Sequence, residues 1–494
     1  MPEPSFISLL PALITLCVSF GMKNVLLGLF AGVISGVFIL HSSSLLLLFP
    51  LIIKGYLVPE IADTYNASIL LLLAFIGGFV RLIQYSGGGV AFASQTIKYI
   101  YNTVSAQISA WFAGILIFFS DLGTPLIVGP VFQSLFDKYR ISRQKLAFII
   151  DSTSSPVAIL VPFIGWGVFS MSVIKGSFEA NNVFIDEWSA FISAIVFQHY
   201  TWLAITIVPI LSILRFDYGR MELAEKQAYK LDENLSNNID KDSKAIFVWL
   251  PLLVLGLTLF VSLSVYGFPF KQVAGSDFRA ALSNAYLFAA IVLIALILFY
   301  TKKKRIEIFS EYVSGMSGML PIMATLVLAW ALGSVSEELG TGKYVGEMAK
   351  ETINPMFLPV LIFLISAILS FAIGSSWGTI IIIMPLAIPS AISTGNEFAI
   401  IIGAVLSGSL FGDHSSPLSE TTILSSTGAG IDPLSHFSTQ LPYALTNGAI
   451  ATIGFVLAGF FTSNFIVVSL ILFQLIILLI LRHIKYSYNS NIFT

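Results

Sequence analysis

Gly412-Asp413-His414-Ser415-Ser416-Pro417-Leu418-Ser419-Glu420-Thr421-Thr422 follows a run, Phe398 to Phe411, that reads as a membrane helix. The stretch carries two carboxylates, one imidazole and five hydroxyls. A formal charge at the centre of a bilayer helix costs about 2.5–3.5 kcal/mol on insertion scales. Asp413, His414 and Glu420 in such a place point to function, not filling. Pro417 has no N–H, so a helix running into it breaks and frees backbone carbonyls. Carbonyls, carboxylates and hydroxyls together form an oxygen-lined cavity suited to a small hard cation. The stretch reads as half of a transport site.

Composition sets the class. Of 494 residues, 56% are hydrophobic and 11% charged, with a mean hydropathy of +0.90. Soluble domains carry about 25% charged residues, so this is a polytopic membrane protein. The net charge of −2 gives no sign of a nucleic-acid partner. One cysteine, Cys17, allows neither an intrachain disulfide nor a cysteine metal cluster. Met1-Pro2-Glu3-Pro4 has no basic n-region, so Phe6 to Gly21 reads as a first spanning helix and not a cleaved signal. Near Gly342-Lys343, Glu337 stands where a phosphate loop needs glycine and Tyr344 where it needs a hydroxyl, which disfavours ATP-driven transport.

Apolar runs of spanning length, about 20 residues, fall near 5–21, 24–40, 66–80, 146–172, 188–214, 246–267, 281–300, 316–335, 398–424, 441–462 and 464–481. The mixed stretch 41–65, with Lys54, Glu60 and Asp63, reads as an interfacial helix. Two pairs, 107–120 with 125–136 and 357–373 with 379–391, are too short to span singly. They read as hairpins that enter and leave by one side, with tips at Ser120-Asp121-Leu122-Gly123-Thr124-Pro125 and Gly374-Ser375-Ser376-Trp377-Gly378. Arg81 and Lys98 before the first hairpin, and Lys138, Arg140, Arg143 and Lys145 after it, place both of its flanks in the cytoplasm. The same rule puts 215–244, Lys302 to Arg305, Arg482 and Lys485 inside, and 174–187 and 268–279 outside. The expectation is a multi-pass protein of the plasma (inner) membrane, N-terminus outside and C-terminus cytoplasmic.

At an offset of 255 residues the halves match: Leu73 with Leu328, Ala74 with Ala329, Gly78 with Gly333, Gly87 with Gly342, Ser120 with Ser375, Gly123 with Gly378, Thr124 with Thr379 and Pro130 with Pro385. Asp151-Ser-Thr-Ser-Ser-Pro156 matches Asp413-His-Ser-Ser-Pro417 with one residue gained or lost. The loop Asp137 to Lys145 is basic, whereas its counterpart Ser393 to Glu397 has no basic residue, so the repeats read as inverted, a secondary-transporter pattern. The domain expectation is an N-terminal transmembrane repeat over 1–214, a cytoplasmic connector over 215–245, an inverted repeat over 246–462, and an extra helix with a tail over 463–494.

Several stretches carry a resemblance: Leu328-Ala-Trp-Ala-Leu-Gly333, Ser376-Trp-Gly-Thr379, Met384-Pro-Leu-Ala-Ile388, Gly412-Asp-His-Ser-Ser-Pro417 with Thr421 to Gly428, Gln440-Leu-Pro-Tyr443, and Ile141 to Thr153. Through them the chain resembles the NhaC-type sodium/proton antiporter family, from the third helix to the eleventh. Many members carry paired aspartates and an aromatic at the first hairpin tip; this chain has Ser120-Asp121-Leu122-Gly123. The family is similar to carriers of organic acids and amino acids, so the resemblance leaves the solute open.

Asp413 is the first choice for the carboxylate, and sodium ligand, that alternately holds a cation and a proton; Asp-x-Ser-Ser is also helix-capping chemistry. An unperturbed histidine titrates near neutrality, so His414 suits proton handling or a structural bond. Glu420 either lines the cavity or pairs structurally. Asp121 suits a ligand, a gate or a cap, and Asp151 a cap for the half-helix at Ser152 to Pro156. Ser415, Ser416, Thr421, Thr124, Ser154, Ser155, Ser375, Ser376 and Thr379 are candidate hydroxyl ligands, against the commoner bond to a carbonyl one turn back. Pro417, Pro156, Gly123, Gly374 and Gly378 are the hinge candidates; glycine permits tight tips. Trp166, Trp330 and Trp377 read as packing residues, with lining of a pathway as the alternative.

The fold expected is all-α, with two inverted repeats, each with a re-entrant hairpin and a broken helix, and about eleven spanning helices in all. The function expected is secondary active sodium/proton exchange at a shared site, without a cofactor beyond the transported Na+ and H+. The partners expected are membrane lipid and a small cation, with an organic solute in the alternative reading, and no nucleic acid; a homodimer is compatible with the chain. The first alternative is Na+- or H+-coupled carriage of an organic acid or amino acid. The second, a membrane-embedded enzyme, lacks a His-Glu-x-x-His motif, and the five histidines are scattered.

Overall fold

Hydrocarbon offers no partner to backbone N–H and C=O groups, so an apolar chain of this kind pairs them within helices. The computed structural model describes residues 5–22, 24–41, 45–88, 91, 100–118, 121, 123–228, 244–267 and 275–492. Within them the longer elements are α1 Leu10–Met22, α2 Val25–His41, α3 Thr64–Ser86, α4 Thr103–Leu116, α5 Gly123–Lys138, α6 Arg143–Thr153, α7 Gly165–Glu179, α8 Glu187–Ala194, α9 His199–Leu214 and α10 Gly219–Ala228. There follow α11 Ile246–Ser264, α12 Gly275–Tyr300, α13 Arg305–Gly318, α14 Leu320–Glu338, α15 Thr341–Thr352, α16 Leu358–Ile373, α17 Ser376–Thr394, α18 Phe398–His414, α19 Glu420–Ala429, α20 Pro433–Phe460 and α21 Ile466–Ile492. Lys98, Ser120, Leu122, residues 229–243 of the connector and 268–274 of the loop read as outside lie beyond the described residues.

The protein is an all-helical, multi-pass membrane protein. Among the described residues eight helices are long and apolar enough to cross a bilayer, or nine if α8 and α9 form one span bent by 49°. That is fewer than the eleven apolar runs, in part because 146–172 and 398–424 are interrupted. The first breaks at Ser154, resumes as Ser155–Ala158 and unwinds before α7; the second breaks over Ser415 to Ser419. One order of elements occurs twice: helix, tip, helix, broken helix, as α4–α5–α6 and as α16–α17–α18–α19.

The second hairpin differs from its expectation. Its arms, Pro355–Ile373 and Ser376–Thr394, are each 19 residues and long enough to span. Residues Ser376 to Gly378, read as loop, are the first turn of α17. Ser375 caps that turn by accepting the Gly378 N–H at 3.2 Å, and α17 runs on through Pro385 and Pro389 to Gly395. The arms of the first hairpin, α4 and α5, are 14 and 16 residues. The 41–65 stretch is also more than interfacial. Leu48, Ile52 and Tyr56 are buried with Val33, Val37 and Val335, and the Tyr56 hydroxyl donates to Glu338 at 3.0 Å.

Small residues bring α16 and α18 together. A Cβ on Gly408 would lie 2.3 Å from the Phe363 carbonyl oxygen, and one on Gly412 2.2 Å from that of Ala367. Glycines four apart on one face let membrane helices approach closely, and this contact fixes the end of α18. At the C-terminus, Gln474 on α21 donates to Asn447 at 2.7 Å and to the Leu203 carbonyl at 2.9 Å, tying α21 to α20 and α9.

The connector helix α10 docks on the start of α6. Met221 is buried, and Glu225 accepts the Ser142 N–H at 2.9 Å and its hydroxyl at 2.6 Å. Beside it, Lys145 pairs with Asp217, which also accepts from the Tyr443 hydroxyl at 2.5 Å. Burial first, and then the Asp217 charge, push the Glu225 carboxyl up to about 7, against the opposing pull of Lys145 and Ser142. A raised carboxyl favours its protonated form in the docked state, so its stabilising effect is full below the usual 4.5 and lost as pH rises through about 7. Amide exchange of Gly219 to Ala228, corrected for intrinsic rates, is therefore expected to lose protection from about pH 5 to about pH 8. Glu225→Gln is expected to flatten that profile; equal protection across the range in the unmodified protein contradicts the account.

Candidate functional site

Two broken helices and two hairpin tips converge. Ser416, in the second break, donates its hydroxyl to the Phe371 carbonyl at 2.8 Å, clamping the break to the end of α16. Gly374, at φ +72, turns the second tip, and a Cβ there would meet Leu418 at 2.9 Å. The half-helix α19 packs on α5 at Gly428 and Gly129, where a Cβ on Gly428 would lie 2.2 Å from the Pro125 carbonyl oxygen. Gln133 donates to the Gly428 carbonyl at 2.7 Å from the same side.

Asp151 is the hub. It is wholly buried in the last turn of α6. Its Oδ1 accepts from Ser425 of α19 at 3.2 Å, and its Oδ2 accepts from Gln440 of α20 at 2.5 Å. His436, one turn before Gln440, places Nε2 3.6 Å from Oδ2. The Gln440 amide also donates to the His414 carbonyl at 3.1 Å, joining the first broken helix to the second. The Tyr200 hydroxyl lies 3.3 Å from His414 Nδ1.

Asp413 lies one residue away on the last turn of α18. Its Oδ2 accepts the Thr421 hydroxyl at 3.0 Å, and Thr421 lies 2.9 Å from the Ser419 hydroxyl. A carboxylate at the C-terminal end of a helix faces the negative end of its dipole. A positive charge or a proton there relieves that conflict. Carboxylate and hydroxyl oxygens are hard donors that fit a small alkali cation as cargo. Among the described residues no group of three or more His, Cys, Asp or Glu is placed to hold a metal ion. Several buried polar atoms around the cluster have no hydrogen-bond partner: Ser155 Oγ, Ser415 Oγ, His414 Nε2, the His436 ring nitrogens and Gln440 Oε1.

The other residues singled out in the sequence fall in different places. Neither Asp151 nor Asp413 caps a following helix: both sit in the last turn of the preceding one, and Ser154 and Ser419 hold the cap positions. Glu420 opens α19 with its side chain exposed, outside the buried cluster. Ser154 donates to the Asp151 carbonyl at 3.0 Å, Thr379 to the Ser375 carbonyl at 2.9 Å and Thr124 to the Ile117 carbonyl at 3.2 Å. Ser376 is buried at the second tip. Pro156 sits in the first turn of Ser155–Ala158, and Pro417 lies in the second break. Of the three tip glycines only Gly374 is left-handed; Gly123 begins α5, and Gly378 makes room for Val25, which a Cβ would approach to 2.2 Å. Trp166 does more than pack: its indole donates to Asp121 Oδ2 at 2.5 Å.

Tyr200, Ser425, His436 and Gln440 were not singled out as site residues in the sequence. A signal for two of them was present. His436 and Gln440 share one face of an otherwise apolar helix at a spacing of four, a spacing that the 441–462 run truncated. A separate cavity of about 340 Å³ lies among α3, α7, α14 and α17, lined by Glu60, Asp63, Glu179, Glu337, Tyr65 and Trp330 among others.

A family model described as the Na+/H+ antiporter family matches residues 157–460. An uncharacterized protein of Haemophilus influenzae is 30% identical over 474 residues, covering 92% of this chain and 91% of its own length. A malate-2H(+)/Na(+)-lactate antiporter of Bacillus subtilis is 32% identical over 142 residues, 29% of each chain. The crystal structure of the YdaH transporter of Alcanivorax borkumensis superposes with a TM-score of 0.60 at 16% identity, over 81% of this chain and 87% of that one, a likeness of fold.

Gln440→Met keeps the length of the side chain and removes both of its hydrogen bonds. It is expected to destabilise the protein by about 2–3 kcal/mol, since a buried carboxylate loses a charge-assisted donor. Thermal unfolding in detergent checks this; an unchanged midpoint contradicts the hub role of Asp151.

Proposed function

The chain belongs to the Na+/H+ antiporter family, and from that premise we propose that it exchanges sodium for protons at the Asp413 carboxylate. It is a secondary transporter, and the finer reading concerns its cargo and its site. The observation that carries the reading is the placement of Asp413: buried, at the negative end of α18, beside the hydroxyls of Thr421 and Ser419. An ionised carboxylate alone in that position is costly. Sodium, held by the carboxylate and these hydroxyls, neutralises it in one half of the cycle. A proton neutralises it in the other. Because both use one group, binding either expels the other, and exchange follows from competition. Asp151 stays ionised in this scheme, held by Ser425, Gln440 and His436, and fixes the second break around the site. The carrier works in the plasma (inner) membrane with its C-terminus in the cytoplasm, an orientation supported by the basic residues 302–305, Arg482 and Lys485.

One observation favours a second reading. Ser155 Oγ, Ser415 Oγ, His414 Nε2 and His436 Nδ1 are buried without hydrogen-bond partners. Such groups suit an organic carboxylate, and the Bacillus relative is described as a malate/lactate antiporter. In that reading sodium or protons at Asp413 drive an organic acid.

Proteoliposomes holding a pH gradient separate the readings. Sodium alone is expected to move protons, and Asp413→Asn to lower the rate roughly 100-fold, the loss of about 3 kcal/mol from a charged ligand. If proton movement waits for malate, lactate or another organic acid, the second reading replaces the first. Unimpaired sodium-driven exchange in Asp413→Asn removes Asp413 from its role.

A further inference from the structure

The two helices that carry the hub are bridged a second time. Asp151 of α6 meets Gln440 of α20 directly. Earlier on α6, Lys145 pairs with Asp217. One turn after Gln440 on α20, Tyr443 donates its hydroxyl to the same Asp217 oxygen at 2.5 Å. Asp217 belongs to neither helix: it lies in the short link between α9 and α10, at the head of the connector. At a rise of about 1.5 Å per residue, Lys145 stands about 9 Å along α6 from Asp151, toward the basic loop read as cytoplasmic.

This bridge is sealed. Lys145 and Tyr443 are wholly buried, and Phe148, Phe216 and Met221 are buried with them. The Tyr443 ring packs against Phe148 and Tyr218, with centroids 4.7 Å and 4.6 Å apart. From α21, Lys485 donates to the Asp217 carbonyl at 3.0 Å and pairs with Glu222 of α10 at 3.1 Å, latching the connector in place. The side read as outside differs: there the 340 Å³ cavity is lined by Asn181 of the loop 174–187, and by no residue of the bridge.

A closed ion pair in such a place is poised, not strong. Its attraction is largely offset by what both charges lose in leaving water. When water enters, Lys145, Asp217 and Tyr443 regain hydration as they part, whereas an apolar seal would have to expose its surface. We propose that Asp217, with Lys145 and Tyr443, forms the cytoplasmic gate of the carrier. Closed as in this structure, the bridge holds α6 and α20 together on the cytoplasmic side of the hub. Its release opens a route from the cytoplasm to the two breaks. The proposal takes its sidedness from the orientation given under the proposed function, and it holds for either cargo.

Access to the breaks is measured directly. Cys17 is the single cysteine of the chain. In a Cys17→Ser background, Ser155→Cys puts a thiol into the first break, at a hydroxyl that is wholly buried and has no hydrogen-bond partner. Inside-out and right-side-out membrane vesicles are treated with a charged, membrane-impermeant thiol reagent. Tyr443→Phe keeps the ring against Phe148 and Tyr218 and deletes only the donor. It is expected to speed labelling from the cytoplasmic face roughly tenfold, the population shift that matches one lost hydrogen bond to a charged group, and to slow labelling from the outer face or leave it unchanged. Asp217→Asn is expected to act in the same direction, and the double variant no more strongly than Asp217→Asn alone, since Tyr443 acts through that carboxylate. Unchanged labelling from the cytoplasmic face overturns the proposal. So does labelling that rises equally from both faces, which is what loosened packing gives. Where one variant gives no folded protein, the other decides by the same two outcomes. Absence of sodium-driven exchange in the unmodified protein leaves this readout intact and counts against the exchange reading alone.

Discussion

A carboxylate buried among apolar helices has to be neutralised inside the bundle, because neither lipid nor bulk water reaches it. The Asp151 carboxylate meets that constraint with Ser425 from α19 and with Gln440 and His436 from α20. Through one amide, Gln440 also binds the His414 carbonyl, which the second break leaves without a helical partner. The contact therefore satisfies a charge and a broken backbone together. It joins the first half of the chain to the second at the site, beside the Ser425 and Gln133 contacts. Around this hub the glycine contacts of α16 with α18 and of α5 with α19 set the approach of the four interrupted elements.

Asp413 and Asp151 are both carboxylates, both buried and both in the last turn of a helix that then breaks. Their surroundings separate them. Asp151 has a carboxamide, a hydroxyl and an imidazole around it. Around Asp413 the described side-chain partners are hydroxyls, Thr421 at 3.0 Å with Ser419 beside it. The better-held carboxylate suits a fixed framework, and the less-held one suits a group that takes up and releases a cation. In the proposed cycle, this division gives the two aspartates different tasks without different chemistry.

Much of this was legible in the sequence. Charge in an apolar run marks a site because the bilayer penalises it, so Asp413, His414 and Asp151 stood out. Pro417 and Pro156 announced the breaks because proline removes an N–H. Hydropathy failed where polar residues extend a helix beyond its apolar run. Asp432 caps α20 by accepting the Ser435 N–H at 3.0 Å, so the helix starts eight residues before the apolar segment and carries His436 and Gln440 inward. Ser375 does the same for α17, which turned an expected loop into the first turn of a spanning helix. Tyr200 and Ser425 had no local mark; their roles come from helices that meet only in three dimensions. Trp166 showed the same limit, since an indole reads as apolar until its N–H finds Asp121.

Sodium binding to the purified protein, measured by calorimetry across pH, addresses the central claim most directly. Competition for one carboxylate predicts that the apparent Kd for sodium rises roughly tenfold per pH unit on the acid side, with about one proton released per sodium bound. The Asp413→Asn protein should show neither effect. A Kd independent of pH, with no proton release, would contradict exchange at a shared carboxylate.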